Sequence, residues 1–257
     1  METILLQKEN GVATITLNRP DAANGLNLKM AQELYDASNE LDQDNEIRAV
    51  ILTANGKLFS AGGDLKYMAQ NGKELGVALK KMATTAHNAI AQFARMNKPL
   101  IVGVNGTAAG IGFSLAMIGD LVIAAESAKF TMAYTAAGLS PDGGSTYLLP
   151  RLIGIRKTTE LMLTNRRLSA AEALDWGLLN QVVTDDQLAT TVQKLATQLA
   201  NGPTPAFGSV KKLLLSTFHN SLETQMELEG RAIVANATSP HGTEGIHAFL
   251  EKRKPKF

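Results

Sequence analysis

The sequence predicts an α/β fold built on a mainly parallel sheet, and three observations carry that expectation. Short β-type apolar runs alternate with stretches of helical periodicity, which implies crossover connections between parallel strands. Two glycine-rich segments, Phe59-Ser60-Ala61-Gly62-Gly63-Asp64-Leu65 and Val104-Asn105-Gly106-Thr107-Ala108-Ala109-Gly110-Ile111-Gly112, each follow such a run and each open a helix. The chain has 257 residues, 45% of them hydrophobic. That is enough apolar material for a substantial core, and α/β chains of roughly 200–250 residues fold as one unit.

In chain order, Ile4 to Leu6 and Val12 to Leu17 read as two strands turning at Asn10-Gly11, a strong hairpin dipeptide. From Leu28 to Leu41, Ala31, Leu34, Tyr35, Ser38 and Leu41 recur on one helical face. A strand is expected over Ile47 to Thr53, and a helix over Lys73 to Arg95 that stops before Lys98-Pro99, because proline disfavours helical geometry in the residue preceding it. Pro99 to Val104 is a buried strand, Gly110 to Met117 a helix, and Leu121 to Ala125 another strand. Ser169 and Glu172 have the spacing of a capping box, which starts a helix at Ala170. Leu178 to Val183 adds a strand. Helical stripes follow at Leu188, Val192, Leu195, Ala196 and Leu199, and at Val210, Leu213, Leu214, Thr217 and Phe218. Leu222 to Val234 and Gly245 to Lys252 complete a helical C-terminal region, interrupted at Asn201-Gly202-Pro203-Thr204-Pro205.

Glycines at a strand end let the backbone approach a ligand closely, and the first N–H groups of a helix have no internal partner. Brought together, two such sites aim two amide N–H groups at one developing oxyanion. Taken singly, each segment also fits an ordinary strand-to-helix turn. The pair resembles the oxyanion-hole signatures of the crotonase (enoyl-CoA hydratase/isomerase) superfamily. Further segments carry the same likeness: Asn18-Arg19-Pro20 through Asn24-Gly25-Leu26-Asn27, Ala128-Lys129-Phe130, and Gly138-Leu139-Ser140-Pro141-Asp142-Gly143-Gly144. So do Leu161 to Asn165, Ala171 to Leu178 and Phe249 to Arg253. The resemblance covers nearly the whole chain in order. It implies a spiral core of ββα repeats over residues 1–195 and a C-terminal helical trimerisation region over 196–257, giving a homotrimer or hexamer.

The same resemblance implies a site. The N–H groups of Gly63 and Ile111 are expected to bind the thioester oxygen of an acyl-CoA as enolate charge develops. Such donors contribute roughly 3–4 kcal/mol each. Ile111 stands where glycine is usual, which is harmless if only its N–H is used and its dihedrals are open to any residue. Hydratases of the family carry glutamates at the positions of Ser114 and Tyr134. Adding water needs water activation and proton delivery, and neither serine nor tyrosine replaces a glutamate in that work. Ser114 is expected to matter little. Asp142, where family isomerases carry a carboxylate, is the expected acid–base, and the pattern is nearest the ring-1,2-epoxyphenylacetyl-CoA isomerase group. As residues alone, Pro141-Asp142-Gly143 also fits a turn or a helix cap.

His87 matches a histidine of the family's 4-chlorobenzoyl-CoA dehalogenases, which makes a hydrolytic reaction through Asp142 and His87 the alternative. A lone helical histidine is also an ordinary structural or solvent-facing residue. A non-catalytic CoA-thioester binder is a third reading. For CoA, the resemblance points to Ala22, Ala23, Gly25, Ala61, Asp64, Leu65, Lys66 and Gly110, with Tyr134 lining the acyl pocket. Phe249 and Lys252 are expected to reach CoA, from a neighbouring subunit if not their own. Lys66 and Lys252 equally fit solvated lysines. CoA enters as part of the substrate, and no separate cofactor is implied.

Composition excludes several other classes. There are no cysteines and only four histidines, so disulfides, thiolate chemistry and a metal site are not expected. The formal net charge of +1 with 19% charged residues gives no basic stripe for nucleic acid. No apolar run reaches the ~18 residues of a membrane span, and no charged-then-apolar leader begins the chain. A cytoplasmic location is the expectation.

Overall fold

Turn chemistry sets the first pairing. Asn10 and Gly11 both sit at positive φ (50° and 77°), as a tight hairpin requires, and join Ile4–Glu9 (β1) antiparallel to Val12–Leu17 (β2). The computed structural model describes residues 1–257. Helix α1 (Leu28–Gln43) starts at Asn27, whose side chain accepts the Met30 N–H. After it come strands β3 (Ala49–Ala54) and β4 (Leu58–Ser60), then helices α2 (Leu65–Gln70) and α3 (Leu75–Arg95). The unit repeats as β5 (Leu100–Val104), β6 (Thr107–Ala109) and α4 (Ile111–Met117), and again as β7 (Leu121–Ala125), β8 (Lys129–Thr131) and α5 (Ser145–Thr164, broken at Gly154).

Each ββα repeat gives one strand to each of two sheets. Strands β1-β2-β3-β5-β7 form the larger sheet, closed by β10 (Gln181–Val183). Strands β4-β6-β8 form the smaller one, with β9 (Leu168–Ser169) at its edge. Pairings among β2, β3, β5, β7 and β10, and among β4, β6 and β8, are parallel. The central strands β3, β5 and β7 are covered on both faces, so they are nearly continuous apolar runs. Alternate residues serve two cores: Val50, Leu52 and Val102 face the helices α1 and α3, while Ala49, Ile51 and Ile101 face α7 (Leu188–Ala200). The repeat core has the ββα architecture that the resemblance implies.

Helix α6 (Ala170–Asp175) begins at the expected capping box of Ser169 and Glu172. The boundary expected between residues 195 and 196 falls inside α7, where Val192 and Ala196 are both buried against the larger sheet. The change from core to appendage lies instead at Asn201–Pro203. Beyond it are α8 (Thr204–Ser216), α9 (Leu222–Ala237) and α10 (Pro240–Leu250). Lys211 ties α8 to the core: its ammonium is 2.7 Å from Asp120 Oδ2 and donates to the carbonyls of Phe93 and Lys98. Helix α9 buries none of its residues, and Val210, Leu214, Phe218, Ile233 and Val234 are exposed. No helix is long and apolar enough to cross a membrane.

Candidate active site

The smaller sheet assembles the site. Strands β4 and β6 run parallel as neighbours, with Ser60 paired to Ala108, so their C-terminal ends lie together. Each end leads directly into a glycine loop. Gly62 has φ 103°, and a Cβ there would stand 3.0 Å from the Ala109 carbonyl oxygen. Gly110 has φ 51° and ψ −129°, a conformation for glycine alone. The two loops therefore touch backbone to backbone.

That contact leaves two donors free. Leu26 straddles the first loop, giving its N–H to Gly62 O and accepting the Asp64 N–H, while the Gly63 N–H between them has no acceptor in the chain. Ile111 is the first residue of α4, so its N–H has no intrahelical acceptor. The glycine-only dihedrals belong to Gly110, and Ile111 itself is helical. Its side chain is buried.

Both residues line one cavity of about 440 Å³. Its other wall is a face of α3 that repeats at helical spacing, Gly76, Leu79, Lys80 and Ala83, with His87 one turn further on. The loop after β8 brings in Tyr134, and the approach to α5 brings in Asp142.

Four side chains meet at Asp142. The Tyr134 hydroxyl donates to Asp142 Oδ1 at 2.7 Å. Ser114 Oγ, from α4, lies 3.1 Å from the Tyr134 hydroxyl and 3.0 Å from the Asp142 carbonyl, and its single proton serves one of them at a time. Ser145 Oγ donates to the same carbonyl at 2.9 Å. On the far side, His87 Nε2 is 3.3 Å from Asp142 Oδ2 and accepts the Gly143 N–H at 3.1 Å. Burial, reinforced by the negative charge of Asp142, pushes the Tyr134 phenol well above its ordinary range, so it serves as a donor and not as a base. No N–H of α5 bonds the Asp142 carboxylate; the helix begins after Gly144 with no side-chain cap. The carboxylate faces the cavity instead.

The remaining expected residues divide into three groups. Ala61, Leu65, Gly110 and Tyr134 line the cavity. Ala22, Ala23 and Gly25 lie beside its rim: Ala23 O accepts the Ala61 N–H, and Gly25 packs on Asp64. Asp64 itself is turned to structural use, since it caps α2 through the Tyr67 N–H and pairs with Arg19 at 2.9 Å. Burial opposes its charge, but those hydrogen bonds outweigh burial and hold its carboxyl below the usual range. Neither Asp64 nor Lys66 lines the cavity. Phe249 (83% exposed), on α10, and Lys252, in the turn after it, stand apart from the cavity.

Sequence reasoning missed the joint role of Ser114 and Tyr134, and it missed Lys80. The i, i+3, i+4 spacing of Gly76, Leu79 and Lys80 was the available signal for the latter.

Residues 7–257 match the family model described as enoyl-CoA hydratase/isomerase. The chain belongs to the enoyl-CoA hydratase/isomerase family. It is 41% identical to a 1,2-epoxyphenylacetyl-CoA isomerase of Escherichia coli strain K12, an alignment covering 100% of this chain and 98% of that one. It is 33% identical to 4-chlorobenzoyl coenzyme A dehalogenase-2 of an Arthrobacter species, covering 97% and 91%. Among solved structures, an enoyl-CoA hydratase from Polaromonas sp. JS666 superposes with a TM-score of 0.94 at 35% identity, covering 98% of each chain. The fold is thus shared by family members named for three different reactions, and the reaction must be argued from side chains.

Proposed function

We propose that this protein is an acyl-CoA isomerase that shifts a C=C bond, converting a 3-enoyl-CoA or a ring-epoxide acyl-CoA through a thioester enolate. One observation carries the reading: a single carboxylate, Asp142, faces a cavity that also holds two free N–H groups. The thioester oxygen accepts from Gly63 and Ile111 while Asp142 takes a proton from C2. The negative charge moves onto that oxygen, and the same carboxyl returns the proton at C4. Two carboxylates are needed to activate water and deliver a proton, but a 1,3-shift needs only one. Ser114 and Tyr134 supply none. CoA is part of the substrate, and the mechanism calls for no further cofactor.

The aromatic version of the substrate has support in the 41% identity to a protein named for a phenylacetyl-CoA epoxide. Assembly as a homotrimer or hexamer is part of the proposal. Its support is the exposed apolar surface of α8 to α10, including Phe249, which a neighbouring subunit would cover. In that assembly Phe249 and Lys252 serve a neighbour's CoA.

The test is conversion of a trans-3-enoyl-CoA to the conjugated 2-enoyl-CoA, with Asp142→Asn measured alongside. The variant should lose at least ~100-fold in kcat, the lower range for a general acid–base group. Near-normal turnover by the variant would remove Asp142 from the chemistry. A second reading, hydrolytic dehalogenation of an aryl-CoA, has one observation in its favour: the contact between His87 and Asp142. Chloride release from a halobenzoyl-CoA without isomerisation of any enoyl-CoA would decide for it.

A further inference from the structure

The contacts of His87 Nε2 conflict in one protonation state of Asp142 and agree in the other. A ring nitrogen offers either a proton or a lone pair. The Gly143 N–H, aimed at Nε2 from 3.1 Å, requires the lone pair. An ionised Asp142 Oδ2 at 3.3 Å requires a proton on the same atom. With Asp142 ionised one of the two contacts is always repulsive; with Asp142 as the carboxylic acid and its O–H on Oδ2, the single Nε2 lone pair is shared by the Gly143 N–H and that O–H in a three-centre hydrogen bond.

Two features fix the direction of the Gly143 N–H. The Gly143 N–H is fixed by a backbone at φ 62°, wedged so tightly that a Cβ would lie 2.8 Å from Ser114 Cβ. The Asp142 carbonyl just before it is held by Ser145 Oγ and by the Ser145 N–H at 3.2 Å. Tyr134 then decides which oxygen carries the proton. Its hydroxyl donates to Oδ1, so the acid proton belongs on Oδ2. On the isomerase reading the protonated carboxyl exists only while the substrate is an enolate.

We propose that His87 is a positioning residue for the proton shift: its Nε2 lone pair, fixed by the Gly143 N–H, holds the O–H of protonated Asp142 until the proton is returned at C4. The inference rests on the isomerase reading. In the first half of the reaction the C2–H bond breaks, its electron pair passes to the thioester oxygen, and the proton bonds to Asp142 Oδ2. During the enolate stage that proton is shared in a hydrogen bond to His87 without transfer. In the second half the Oδ2–H bond breaks and the C4–H bond forms. His87 gains and loses no proton, which separates this role from that of a water-activating base.

Glutamine places an acceptor oxygen near the position of Nε2 but does not act as a base. With a trans-3-enoyl-CoA as substrate, His87→Gln should keep kcat within about 3-fold of native. His87→Leu should lower kcat by roughly 10–100-fold, the factor that one lost hydrogen bond to a reacting group carries. KM should be unchanged in both, because the His87 side chain does not line the cavity. The position is on an exposed helix face, 45% accessible at the side chain, where either variant folds.

A glutamine variant as slow as the leucine variant would overturn the acceptor role, and so would a leucine variant as fast as native. In either case the native rate still supports isomerisation. No conversion by the native protein would overturn the isomerase reading, and with it a role defined on that reaction.

Discussion

The site has a backbone half and a side-chain half, and they differ in what the sequence is free to change. The oxyanion half needs only the N–H groups of Gly63 and Ile111, so its requirement falls on dihedral angles at Gly62 and Gly110. Isoleucine at residue 111 is accommodated because its backbone is helical. The acid half depends on which functional group each position supplies. There Ser114 and Tyr134 occupy positions expected to carry glutamates in hydratases, and they spend their hydroxyls on Asp142. On the proposed mechanism, the backbone half holds the enolate and the side-chain half selects what is done with it.

Breaking the backbone half should have the largest effect after loss of Asp142 itself. Gly110→Ala puts a Cβ where φ is 51° and ψ is −129°, and 3.4 Å from Gly62 Cα, so the Ile111 N–H must move. Steady-state assay should show kcat lower by about 100-fold or more, the range for one lost oxyanion donor. Ile111→Val keeps the N–H and should stay within about 3-fold of native. If instead Ile111→Val fell as far as Gly110→Ala, the side chain would matter and the division into two halves would fail.

The side-chain half should respond by degrees. Tyr134→Phe removes the donor to Asp142 Oδ1 and should lower kcat by roughly 10-fold, near one hydrogen bond to a charged group. Ser114→Ala leaves Tyr134 in contact with Asp142, and Ser145 still holds the carbonyl, so a loss of about 3-fold is expected. Paired kcat measurements on the two variants check the ranking; a larger loss in Ser114→Ala would place the main support of Asp142 on the wrong residue.

The centre of the larger sheet was legible because β3, β5 and β7 are apolar runs long enough to signal themselves. The Asn10-Gly11 turn and the Ser169/Glu172 capping box were legible from local chemistry. The smaller sheet was not: β4, β6 and β8 have three residues each, and beside glycine loops so short a run carries no period. Yet that sheet is what sets Gly63 beside Ile111. The Ser114–Tyr134–Asp142 chain was hidden for a related reason. Its members come from α4, the loop after β8 and the approach to α5, and only the third dimension reveals that two departures from the expected hydratase pattern point at one carboxylate. The expected boundary after residue 195 falls inside α7, because one stripe looks the same whether it packs on a sheet or on another helix.

The most direct test compares two reactions on one preparation. The protein would be given a trans-3-enoyl-CoA and, separately, the matching trans-2-enoyl-CoA, and kcat/KM would be measured for isomerisation and for hydration. With one carboxylate at the cavity, isomerisation should exceed hydration by at least ~100-fold, the contribution of a missing general acid–base group. Hydration as fast as isomerisation would contradict the account, because hydroxyl groups at Ser114 and Tyr134 would then be doing the work of two carboxylates.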